Sequence, residues 1–194
     1  MSLLSSPFFP SLAALLCFWL PVEGAETFRL FSQPLWIPER GEVTSYVLLA
    51  GTNRFSFLPP AAWRISGNAE KREVILLSQD QIVSIRLKLV EKGIAAKGKQ
   101  DVDQWREEVV RRYPDAKMVS EFSCYSGDGQ GTCFEFQRIA SKKTKLSTRL
   151  AFVPFADGTV EFLLTAPNEK SEEYSFTFAN LLTSFHSERC QSPK

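Results

Sequence analysis

The chain has 194 residues, 44% of them hydrophobic and 23% charged, with a formal net charge of +1. That length and apolar content can bury one core and exclude a disordered polypeptide. The near-neutral balance excludes a broad basic footprint for nucleic acid.

Residues 1–24 read as a signal peptide. Leu12 to Val22 is a run of apolar side chains broken only by Pro21, and Val22-Glu23-Gly24 supplies a cleavage region. Cleavage is placed after Gly24, with Ala25 the alternative. The n-region departs from the usual pattern in carrying no Lys or Arg. A permanent anchor is the competing reading, but the apolar stretch falls short of the roughly 20 residues that span a bilayer, and Pro10 and Pro21 interrupt it. Leu16 is too bulky for the residue before a lipoprotein cysteine, here Cys17. Removing residues 1–24 takes away one acid, Glu23, and no base, so the charge of +1 becomes +2. No second apolar stretch follows, so no stable membrane span is expected after cleavage. The expected location is exported, periplasmic or secreted, with the final compartment left open.

Residues 25–41 contain Pro34 and Pro38 and little alternation, so an irregular lead-in with a short strand is expected. Strands follow at 43–50 and 54–58, joined by Gly51-Thr52-Asn53 and ended by Pro59-Pro60. Trp63 and Ile65 share one face of a short strand. Further strands are expected at 73–77 and 82–90; in the second, Val83, Ile85, Leu87 and Leu89 alternate with Ser84, Arg86 and Lys88, which makes one side core.

A charged loop through Gly93 and Gly98 leads to a helix. Asp101 caps it, Gln104 takes the capping-box position, Val102, Trp105, Val109 and Tyr113 share a face, and Pro114 stops it. Four strands are expected around 117–124, 133–139, 146–153 and 159–165, with Asp157-Gly158 a hairpin signal. A last helix has Ser171 as N-cap, Glu172 and Glu173 at the positive end of its dipole, and an apolar stripe of Tyr174, Phe178, Leu181 and Phe185. The fold class is α+β, an antiparallel β-sheet flanked by helices.

Arg54-Phe55-Ser56-Phe57-Leu58-Pro59, then Ala62-Trp63-Arg64-Ile65, the Tyr113-Pro114 helix end, the paired aromatic hairpins and Leu181-Leu182-Thr183-Ser184-Phe185 together resemble the PsbP-like fold superfamily. That superfamily includes a photosystem II extrinsic subunit, a Ran-binding nuclear import factor and many exported bacterial proteins. The resemblance spans Arg54 to about His186. It implies an α/β/α sandwich and non-enzymatic roles in binding or assembly, and it transfers no functional residue. The expected organisation is a signal peptide at 1–24, a lead-in and first strand at 25–53, a PsbP-like domain at 54–188 and a tail at 189–194.

Chemistry-bearing residues are sparse. The only histidine, His186, falls on the last turn of the terminal helix, where it complements the negative helix end rather than serving a catalytic triad. Cys124, Cys133 and Cys190 lack metal-ligand spacing. Export makes a Cys124–Cys133 disulfide the expectation across the loop 125–132, contributing roughly 2–3 kcal/mol. Phe122 shares a face with Cys124 while Phe134 and Phe136 lie opposite Cys133, so that bond requires a bulge or a sheet buried on both faces. Cys190 is unpaired or bonded to another molecule. The glycines of the same loop precede a strand, not a helix, and read as turn chemistry rather than a phosphate cradle. Arg138, Lys142, Lys143, Lys145 and Arg149 cluster around one hairpin as a candidate partner surface, against the reading of a solvated edge. Glu107-Glu108 and Glu172-Glu173 read as solvated helix surface.

No catalytic residue, cofactor or metal is predicted. The expectation is a non-catalytic exported module that binds another envelope protein; the alternative is a carrier of a small apolar ligand or lipid, suggested by 16 phenylalanines.

Overall fold

The computed structural model describes residues 27–91, 102–140 and 144–190. The expected signal peptide, the Asp101 cap, Lys142 and Lys143 lie outside the described residues.

Two antiparallel sheets carry the fold. The first has the order β1-β2-β3-β11, built from Phe28–Ile37, Gly41–Ala50, Asn53–Phe57 and His186–Arg189. The second has the order β4-β5-β6-β10-β9-β8-β7, built in chain order from Arg64–Asn68, Glu73–Leu77, Ser84–Glu91, Lys117–Ser126, Gly129–Ile139, Lys145–Phe155 and Gly158–Pro167. Helices α1 (Val102–Arg112) and α2 (Ser171–Thr183) complete it. β2 and β3 pair across the boundary expected at 53/54.

The centre of the seven-stranded sheet, β8 to β10, is buried on both faces, whereas β6 leaves Arg86 and Lys88 exposed, and strand parity decides which residue goes where. In β9, Leu150 and Phe152 pack with Trp105 and Val109 of α1, while Ala151 and Val153 join the opposite core. An unbroken apolar run is what a doubly buried strand requires. Trp105 stacks on Phe152 with ring centroids 5.0 Å apart, and each large side chain so buried stabilises the fold by roughly 1.5–3 kcal/mol before entropy is subtracted. On the other face, Phe185 joins the two sheets. Its ring meets Phe55 of β3 at 5.6 Å and Phe162 of β10 at 4.9 Å. α2 adds Phe178, Leu181 and Leu182 to this core. The antiparallel α+β expectation therefore holds; the α/β/α description is incomplete, because α2 shares its face with a second sheet.

Three local expectations differ. β1 is a ten-residue strand rather than an irregular lead-in. Arg40 N–H donates to Ile37 O (3.0 Å) with Pro38 as the second residue of the turn, and Gly41 follows at φ +75, a turn-plus-bulge hairpin. Gly51 N–H donates to Thr27 O (2.9 Å), and continuing that alternation turns the Pro34 nitrogen to the free edge, where no donor is needed. Secondly, Lys170, not Ser171, is the α2 N-cap; a 3₁₀ turn over Asn168–Lys170 leads straight into the helix, and Ser171 Oγ donates to Asn168 O (3.0 Å). Thirdly, α2 ends at Thr183, so Phe185 and His186 lie beyond it and His186 opens β11.

Candidate functional site

A cleft of about 990 Å³ opens between the β1–β2 hairpin, the loop from Leu58 to Trp63 and the C-terminal half of α2. The hairpin wall brings Ile37, Arg40 and Tyr46, and Tyr46 stacks on Phe57 at 6.1 Å. The loop wall is stiff. Pro59 and Pro60 fix their own backbone, Trp63 N–H donates to Pro60 O (3.3 Å), and Ala62 takes φ +63, the slot that glycine usually fills in a type II turn. Trp63 rests edge-on against Tyr174 of α2 at 5.8 Å. The helix wall is fastened to the loop by Ser184, whose Oγ accepts from Leu58 N–H (3.0 Å) and donates to Leu181 O (2.9 Å).

The lining is poor in charge. Of its seventeen residues only Arg40 is ionised, in a chain with 23% charged side chains, and none is Asp, Glu, His or Cys. Ser184 is the one serine and its hydroxyl is engaged structurally. Among its described lining residues the cleft thus holds no acid–base pair and no activated nucleophile. Its composition matches the centre of a protein interface, where charge is depleted and aromatic residues and arginine are enriched. Two aromatics stand beside the lining residues. Trp36, 71% exposed, pairs with Glu42 across the hairpin and so shares the face of the lining residues Thr44 and Tyr46; Phe176, 74% exposed, precedes Asn180 by one helical turn. No described aromatic side chain is more exposed than these two.

The architecture compares with known structures as follows. The chain is similar to the solution structure of cyanobacterial PsbP (CyanoP) from Synechocystis sp. PCC 6803, with 10% identity, 87% of this chain and 97% of that chain covered, and a TM-score of 0.54. The chain has the PsbP-like fold. Alignments also extend to the Saccharomyces cerevisiae Ran-binding protein Mog1p (10% identity, 81% and 96% covered, TM-score 0.47) and to a Bacteroides thetaiotaomicron protein (16% identity, 70% and 45% covered, TM-score 0.48). No protein-family model and no curated protein matches the sequence.

Within this PsbP-like fold, the residues singled out in the sequence do not converge. Arg138 lies over the Tyr113 ring (5.7 Å) on the α1 face, whereas Arg149 lies on the opposite face, paired with Glu135 (3.1 Å) and over Phe122 (5.7 Å). Lys145 is exposed at the start of β9. The candidate basic surface is therefore divided between two faces among its described members.

Cys124 and Cys133 are separate buried thiols, not the expected disulfide. β8 is buried on both faces and the two cysteine side chains share one core, as the bond requires. The register is the obstacle: Cys124 sits opposite Gly131 and Cys133 opposite Phe122. That diagonal puts Cα atoms about 7–8 Å apart, outside the usual disulfide range. Burial pushes the Cys124 thiol up to about 11 and the Cys133 thiol higher still.

His186 belongs to an anchoring contact. Its Nδ1 is 3.3 Å from Asp128 Oδ1 at the β7–β8 tip, Ser187 N–H donates to the same carboxylate, and a Cβ on Gly127 would overlap the imidazole. Cys190 is exposed, with its N–H donating to Thr52 O (2.8 Å).

The sequence reading missed Trp36, Arg40 and Phe176. Phe176 did leave a signal, since it stands off the apolar stripe of an amphipathic helix, where a large aromatic needs a reason.

Proposed function

We propose that this protein is an exported, non-catalytic interaction module that engages another protein of the cell envelope through the cleft between the β1–β2 hairpin, the Pro59–Trp63 loop and α2. The observation that carries the reading is the cleft's composition: one arginine, aromatic walls, two exposed aromatics beside them and no acid, histidine or cysteine. Trp, Tyr and Arg in such a setting are the residues that dominate binding energy at interfaces. The PsbP-like fold is compatible with this role and does not assign it. Export rests on the apolar segment at residues 12–22, and no described helix is long and apolar enough to cross a membrane.

The carrier alternative has no such observation behind it. Phe55, Phe57, Phe134, Phe136, Phe162 and Phe185 are fully buried and fill the core.

The test is cross-linking of affinity-tagged protein in its native host, in wild-type form and as Trp36→Ala/Phe176→Ala. The expected result is one dominant protein adduct that the double variant loses while keeping its melting temperature. An adduct indifferent to both substitutions, or turnover in a hydrolase panel abolished by one surface substitution, contradicts the reading.

A further inference from the structure

The distribution of charge around the hairpin turn bears on the chemistry of the partner. Glu39, Arg40 and Glu42 are all exposed at this turn, yet only Arg40 lines the cleft. Among the described residues no ion pair or side-chain hydrogen bond engages the Arg40 guanidinium. The polar groups that share the lining with it, among them Thr44, Thr177 and Asn180, include no carboxylate. The turn thus contributes its cation to the cleft and keeps its two acids out of the lining.

We propose that the cleft takes an extended, acidic segment of the partner protein, with one aspartate or glutamate side chain paired to Arg40 and the flanking apolar side chains laid against Tyr46, Trp63 and Trp36. This rests on the reading of the cleft as the partner site and adds the class of segment. A guanidinium fork accepts a carboxylate through two parallel hydrogen bonds, and apolar walls strengthen such a pair relative to open water. A basic segment would meet Arg40 with like charge and no acid in the lining to answer it. The cleft's volume, about 990 Å³, lies at the top of the small-ligand range and suits several residues of extended chain.

The mature protein is panned against random peptides of about twelve residues with amidated C-termini, so that every carboxylate is a side chain. Affinities are then measured for wild type, Arg40→Gln, Arg40→Glu and Trp36→Ala/Phe176→Ala, each checked for an unchanged melting temperature. The expected binders share an acidic position, and Arg40→Gln weakens them by about tenfold or more, a difference of about 1.4 kcal/mol. Changing that acid to its amide has the same effect, and the two losses do not add. Binders lost in Trp36→Ala/Phe176→Ala but without an acidic position and indifferent to Arg40→Gln overturn the acidic segment and leave the partner site standing. Binding that appears only with free C-termini overturns the side-chain pairing. Binders indifferent to every variant, or no binder at all, overturn both.

Discussion

Arg112 at the end of α1 grips Glu161 in the middle of β10, with Nη1 and Nη2 donating to the two carboxylate oxygens at 2.6 and 2.7 Å. Glu161 is 5% exposed on a face otherwise covered by Trp105, Val109 and Phe152. A buried carboxylate left alone is costly, so Glu161→Ala should lose about 3 kcal/mol in urea unfolding by stranding part of the arginine's charge. Replacing both ends, Arg112→Met with Glu161→Leu, should recover most of that loss. A double variant as unstable as the single one would mean that the pair itself, rather than the stranded charge, carries the energy.

Glu108 makes α1 sensitive to acid. Hydrogen bonds from Arg111, and then from Arg112, hold its carboxyl at about 2 against an ordinary 4.5, with burial opposing them. A carboxylate with a depressed folded-state pKa stabilises the fold fully above its unfolded value and ceases to do so as pH falls through the folded value. Stability should therefore decline between about pH 4.5 and 2, and Glu108→Gln should flatten that decline. Asp80, held at about 2 by Ser78 Oγ–H, Ile82 N–H and Lys170, acts in a similar window from the exposed surface. An unchanged slope in Glu108→Gln would assign acid sensitivity elsewhere.

Thiol chemistry separates the cysteines. In the mature chain, Cys190 should react rapidly with a thiol reagent near pH 8, while Cys124 and Cys133 react only after unfolding, because both are buried and their thiolates are disfavoured. Intact mass before and after reduction should be equal. A two-proton mass difference, with Cys124 and Cys133 protected even in denaturant, would show that the β7–β8 register closes the diagonal after all.

Ala62 occupies left-handed backbone beside the cleft. Glycine relieves that strain and loses some of the gain to unfolded-chain entropy, so Ala62→Gly should stabilise the protein by about 0.5 kcal/mol, whereas Ala62→Val should cost about 1–2 kcal/mol. Thermal melts of the two variants give the order. The reverse order would contradict the observed turn.

The sequence made legible those elements whose burial is one-sided and local. Ile85, Leu87 and Leu89 alternate in β6, continuing from Val83 just before it, and Trp105 and Val109 repeat along α1; the structure buries all six. β1 was hidden by Pro34 and Pro38, which read as breakers until one is seen at a free edge and the other in a turn. β11 is four polar residues, His186–Arg189, with no apolar pattern. β3, Asp128 and Asp157 define it, through the Arg54–Glu188 pair at 2.8 Å and the Arg189–Asp157 pair at 2.6 Å. The cleft was less legible still, because residues 37–46, 58–65 and 177–184 meet only in three dimensions. The lysine-rich hairpin drew attention by composition alone, and its described arginines turn to opposite faces.

The most direct measurement is site-specific photocross-linking in the native host. A benzophenone side chain is placed at Trp36 or Phe176 beside the cleft, and at Tyr125 or Ile139 as exposed controls. One dominant adduct of the same mass is expected from both cleft positions, carried on an acidic stretch of the partner, and none from the controls. Equal labelling from all four positions, or adducts from Tyr125 and Ile139 alone, would contradict it.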